Sequence, residues 1–177
     1  MHTIWEMKEE NNTLCSSTIE KHELNTVVSQ ILCRRMITSP EELHLFLYGT
    51  LDDEYDPYLM KGMSEAVVRI EKAIADKERI LIHGDYDVDG VTAAALLAKT
   101  FDELGAEYSL YLPERLKGGY GVSQKAIYYA REMRAGLIVT VDCGISAYDE
   151  VRLANQYGID VVITDHHQPL REPFPLE

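Results

Sequence analysis

The sequence is short of cysteine, of long apolar runs and of basic residues, and each shortage removes a class of protein. Cys15, Cys33 and Cys143 are odd in number and form no CxxC pair. That favours a reducing cytoplasm over a disulfide framework. No apolar stretch approaches the roughly 20 residues of a membrane-spanning helix. Residues 1–12 are polar and acidic, unlike a secretory signal or a transit peptide. Lysine and arginine total 17 against 30 aspartates and glutamates, a net charge of −13. Such a balance argues against a nucleic-acid surface spread over these residues. A metal-dependent phosphodiesterase stays open, because bound cations offset part of the excess and a basic groove can lie elsewhere. Repeats and low-complexity segments are absent too.

What is there reads as a globular protein. Hydrophobic residues make up 46% and charged residues 27% of 177 positions, enough for one domain with a core. Residues 1–17 read as a flexible tail and residues 18–78 as a helical segment. Leu24, Val27, Val28, Ile31 and Leu32 recur at helical spacing. Ser39-Pro40-Glu41-Glu42 opens a second helix that Gly49 ends, and Ser64 is expected to cap a third. From residue 79 to 177 the pattern becomes α/β. Strands are expected at 79–83, 107–112, 136–141 and 159–164, and helices at 90–104, 123–133 and 146–157. Gly105, Gly136 and Gly158 mark helix ends, and Ser123 and Ser146 mark helix starts. Such alternation gives a parallel β-sheet with helices on both faces.

The richest stretch is Ile80-Leu-Ile-His83-Gly-Asp85-Tyr-Asp87-Val-Asp89-Gly90. Aspartates this close repel, each pair by roughly 3 kcal/mol at about 5 Å and an effective dielectric near 20. A fold that gathers them is expected to hold a cation. Oxygen ligands with an imidazole suit Mn2+ or Mg2+ better than structural zinc. Two further strand ends carry Asp142-Cys143-Gly144 and Asp165-His166-His167. Each alone is as well explained by a cap, a turn or surface histidines. In a parallel sheet, however, all three meet at the carboxyl edge, where ligands bind. Five or six such side chains exceed what one ion takes, so two ions are expected, an arrangement suited to in-line displacement at phosphorus.

Rival motifs fail on their own terms. Asp85-x-Asp87-x-Asp89-Gly90 begins like an EF-hand loop, but its twelfth position is Leu96 rather than glutamate. A haloacid-dehalogenase-type nucleophile loop at Asp87-x-Asp89 leaves His83, Asp85 and the Asp165-His166-His167 triplet without a role. Gly118-Gly119-Tyr120-Gly121 lacks the spacing of a dinucleotide fingerprint.

The set His83-xxx-Asp87-x-Asp89, Asp142-Cys-Gly and Asp165-His166-His167 resembles the DHH phosphoesterase superfamily. Asp56-Pro-Tyr-Leu-Met-Lys-Gly-Met63 and Arg115-Leu-Lys-Gly-Gly-Tyr-Gly-Val-Ser123 extend the resemblance to the RecJ-type exonucleases within it, over residues 24 to 170. The resemblance implies an incomplete DHH-type domain and one or two Mn2+ or Mg2+ ions held by His83, Asp87, Asp89, Asp142 and His166, with Asp142 bridging. It implies that His167 contacts the scissile phosphate while Asp85 and Asp165 orient the ligands. Arg115, Lys117 and Tyr120 are candidates for contacting the strand or simply for a solvated turn. The implied activity is 5′ to 3′ digestion of single-stranded DNA in the cytoplasm, with no membrane and with repair or replication proteins as further partners. RecJ-type enzymes are far longer and carry another metal-ligating aspartate downstream, so a fragment of reduced metal affinity is expected. Two alternatives stay open. One is a DHH phosphodiesterase acting on short oligonucleotides or cyclic dinucleotides. The other is a catalytically silent interaction module.

Overall fold

The computed structural model describes residues 24–37, 39–113 and 121–169. The tail assigned to residues 1–17 lies outside them. Two compact units divide after Leu59.

The first unit contains helices α1 (Thr26–Arg34) and α2 (Pro40–Tyr48). Asn25 caps α1 by accepting from the Val27 N–H at 2.9 Å. Ser39 and Glu42 form a reciprocal capping box at the start of α2, and Gly49 stands at its end as expected.

The second unit opens with α3 (Met63–Ala75). The expected cap at Ser64 is not formed. Gly62 takes the N-cap position with φ of 77°, a left-handed turn that glycine adopts freely, and Ser64 lies inside the helix. Helix α3 packs on the sheet through Ile70, Ala73 and Ile74. It therefore belongs with residues 79 onward rather than with the helices before it.

Then follow β1 (Arg79–Gly84), α4 (Val88–Leu104), β2 (Tyr108–Tyr111), α5 (Gln124–Glu132), β3 (Ala135–Val141), α6 (Tyr148–Gln156) and β4 (Asp160–Thr164). The sheet is parallel throughout, in the order β2-β1-β3-β4. Strand alternation sorts its core into two layers. Ile80, Ile82, Leu137 and Val139 meet Ala94, Ala98 and Phe101 of α4 on one face. Leu81 and Ile138 meet Ile127 and Ala130 of α5 and Ala154 of α6 on the other. The helices thus cover both faces, as the sequence pattern predicts.

Two punctuation marks differ from expectation. Gly136 lies inside β3, because Arg134, with φ of 58°, makes the left-handed turn after α5. A Cβ at Gly136 would run into the Glu78 carboxylate. Ala147, with no side-chain hydrogen bond, stands at the N-cap of α6 in place of the expected Ser146.

Topology sets the place of the site. The chain leaves β1 for β2 on one side, then crosses back to β3 on the other. The carboxyl ends of β1 and β3 therefore flank a topological switch point, the crevice where open α/β sheets bind ligands.

Candidate metal centre

The β1 end is built by close backbone packing. Asp87 caps α4, its Oδ1 accepting from the Gly90 N–H at 3.0 Å. A Cβ on Gly90 would lie 2.5 Å from the Asp85 nitrogen, so only glycine lets the first turn of α4 approach the loop this closely. That turn also presents the positive end of the helix to the carboxylates. Asp85 is 1% exposed, and among the described residues neither of its carboxylate oxygens has a partner that meets hydrogen-bond geometry. Burial pushes its carboxyl above the ordinary range; the Tyr86 backbone amide and His167 pull it down, while neighbouring Asp87 and Asp142 push it up, and the upward causes win. Two residues earlier, His83 is fully buried, and burial lowers its imidazole to about 4. It stays neutral at physiological pH.

The β3 and β4 ends are tied to each other. The Asp142 N–H donates to Thr164 O at 2.9 Å, and Thr164 Oγ1 donates to Thr140 O at 2.7 Å. Thr140 Oγ1 donates to Cys143 O at 2.7 Å and holds the turn. Asp142 itself has φ of 61°. A non-glycine residue held there is strained, and such strain gathers at functional sites. Its Oδ1 lies 3.0 Å from His166 Nε2. Asp165 bridges two loops. Its Oδ2 accepts from the Ile145 N–H at 2.9 Å, and its Oδ1 accepts from the His167 N–H at 3.0 Å and lies 2.7 Å from His167 Nδ1. Burial works against the Asp165 charge, but these hydrogen bonds win and hold its carboxyl below the ordinary range. The Asp165 hydrogen bond in turn raises the His167 imidazole.

Two groups of potential ligands result, each with one donor atom per residue within 4.8 Å of the others. Asp85, Asp87 and Asp142 form one, and Asp142, His166 and His167 form the other. Asp142 is common to both. Among the described residues His83 and Asp89 belong to neither, and Asp89 sits exposed in the first turn of α4. The geometry thus brings Asp85, expected only to orient ligands, in among the carboxylates. Arg115, Lys117 and Tyr120 lie outside the described residues. Sequence reasoning missed Thr140, Thr164 and Tyr111. The signal was there in each case, a hydroxyl-bearing residue at or near the carboxyl end of a strand.

The DHH family, N-terminal domain, matches residues 79–175. The chain belongs to the DHH family. Within it, the chain is 41% identical over 165 residues to the single-stranded-DNA-specific exonuclease RecJ of Bacillus subtilis (strain 168), covering 93% of this chain and 21% of that protein. It is 36% identical over 148 residues to RecJ of Escherichia coli (strain K12), covering 83% and 25%. The structure of RecJ in complex with Mn2+ from Thermus thermophilus matches with a TM-score of 0.64 at 28% identity, over 93% of this chain and 22% of that one. An exonuclease RecJ bound to manganese matches with a TM-score of 0.61 at 40% identity, over 66% and 30%. The chain therefore spans about a fifth to a quarter of the curated relatives it matches. This DHH domain places its family triplet, Asp165-His166-His167, directly after β4 and beside Asp142.

Proposed function

We propose that this chain supplies the amino-terminal half-site of a metal-dependent phosphodiesterase that digests single-stranded DNA from a 5′ end. The observation that carries the reading is the buried carboxylate of Asp85, whose oxygens find no hydrogen-bond partner among the described residues, grouped with Asp87 and Asp142. A buried charge without a partner costs several kcal/mol, and a divalent cation removes that cost. The donor set of carboxylate oxygens and imidazole fits Mn2+ or Mg2+. Manganese is the ion named for two structurally similar RecJ proteins. Asp85, Asp87, Asp142 and His166 would hold the metal, with His83 and Asp89 as further donors at the same loop.

When bound, such ions polarise the phosphoryl group, favour a nucleophilic oxygen at neutral pH and stabilise the leaving oxygen. The chain's own residues supply the rest. Asp142 stands between the two ligand groups and is fixed by the Thr164 and Thr140 hydrogen bonds. Asp165 engages Nδ1 of His167 and so orients the ring that is assigned to contact the scissile phosphate. Arg115, Lys117 and Tyr120 would contact the strand. The reaction belongs to the cytoplasm, with repair or replication proteins as partners.

The test is made on the full-length protein. Asp87→Ala is expected to abolish release of mononucleotides from 5′-ended single strands. Activity within tenfold of wild type would overturn the proposed chemistry.

A further inference from the structure

Among the described residues, His83 is the one buried group at this edge whose chemistry the ligand groups leave unused. It is fully buried, and its Nε2 has no hydrogen-bond partner. Its ring stacks on Tyr111, its register partner on β2, at 5.2 Å and 26°. Its Nδ1 lies 3.5 Å from Cys143 Sγ, and the same sulfur lies 3.7 Å from the His83 carbonyl oxygen. Both distances are within hydrogen-bonding range for sulfur.

A thiol has one proton to give and a sulfur that accepts weakly. Were that proton given to Nδ1, the imidazole proton would sit on Nε2 as a buried N–H with no acceptor among the described residues, a costly arrangement, so the thiol proton goes to the His83 carbonyl. The sulfur then faces Nδ1 as an acceptor, and Nδ1 must carry the imidazole proton. Which nitrogen of a histidine stays bare is set by the bond the other makes. From this reciprocal pair we infer that Cys143 is a positioning residue, selecting the Nδ1–H form of His83 and leaving Nε2 as a bare, buried lone pair for a divalent cation at the β1 end. Tyr111 holds the ring in that orientation from the β2 side. The inference rests on the metal-centre reading for its purpose, though not for the tautomer itself. It gives Cys143 a role unrelated to nucleophilic or redox chemistry, in keeping with its complete burial.

Long-range proton–nitrogen correlation NMR on the 15N-histidine-labelled, metal-free 177-residue chain reads the tautomer directly. Mn2+ titration followed by electron paramagnetic resonance reads the consequence. The wild-type chain should show His83 protonated on Nδ1. Cys143→Ala should shift it toward the Nε2–H form and weaken Mn2+ binding by about ten- to a hundredfold, the usual effect of losing a partner behind a metal-binding histidine. Cys143→Ser, whose hydroxyl also gives one hydrogen bond and accepts another, should restore both. An Nε2–H signal in the wild-type chain overturns the inference, and this spectrum needs no variant to fold. So does a Cys143→Ala chain with wild-type tautomer and affinity. A wild-type chain that shows the Nδ1–H form but binds no Mn2+ overturns the metal-centre reading and leaves the tautomer assignment standing.

Discussion

The two sides of the switch point solve the same electrostatic problem in opposite ways. At the β3 and β4 ends the acids are answered from within the chain. Asp142 has His166, and Asp165 has His167 and the Ile145 amide. At the β1 end, among the described residues, Asp85 is buried with no side-chain partner and only the Tyr86 amide and a more distant His167 to offset its charge, and Asp87 has its cap. Histidine pairing satisfies the first side without an ion. The second is left with a standing demand for positive charge, so the need for a cation is concentrated at β1. The price of that arrangement is a loop less stable than it could be, the common trade at functional sites.

The sharpest way to break this contrast is Asp85→Asn, which removes the unanswered charge and keeps the shape. Mn2+ binding should weaken by about 3–5 kcal/mol, roughly a hundredfold to a few thousandfold. The metal-free chain should gain about 1–3 kcal/mol in urea unfolding, because a buried ionised group is gone. A loss of both binding and stability would mean that Asp85 is answered by something in the chain.

Acid should act next most strongly, through His83. Its folded-state value of about 4 lies below the ordinary value of about 6.5. Protonation therefore favours the unfolded chain. Stability is fully present above pH 6.5 and falls toward pH 4, by up to about 1.4 kcal/mol per pH unit. Asp85 acts in the other direction, because its raised carboxyl gains stability as pH falls. The decline should be steeper in Asp85→Asn than in wild type. Urea midpoints between pH 7 and 4.5 check this, and a flat profile in Asp85→Asn would contradict a buried neutral His83.

The smallest effect is expected at the opposite edge of the sheet. There Arg69 donates to Glu78 at 2.7 Å, to Asp160 at 2.6 Å and to Gly136 O at 3.2 Å, joining α3 to the starts of β3 and β4. Arg69→Met should cost about 1–2 kcal/mol, since the cluster is partly solvated. Mn2+ affinity should stay within twofold. A larger change in binding would show that the two edges are coupled.

Much of this was legible in the sequence. Ile80-Leu-Ile and Leu137-Ile-Val announced the central strands because parallel strands buried on both faces read as apolar runs. The strand ends then predicted which polar residues would meet. The division of labour within Asp85-x-Asp87-x-Asp89 was not legible. The strand ends at Gly84 and α4 begins at Val88, so the side-chain period changes inside the motif. No single spacing rule spans that change, and it leaves Asp87 and Asp89 exposed while Asp85 is buried. The Cys143 contact to His83 was equally hidden, since it joins residues 60 apart through a turn after β3. Arg134 makes the left-handed turn after α5 at a cost of about 1–2 kcal/mol that glycine would avoid, so no glycine marked that helix end in the sequence.

The most direct measurement is equilibrium binding of Mn2+ to the 177-residue chain and to its Asp142→Ala variant, by calorimetry at pH 7. Asp142 is the residue common to both ligand groups. A converging two-part metal centre predicts weak but measurable binding to the wild-type chain and none to the variant. Equal titrations for the two would contradict it.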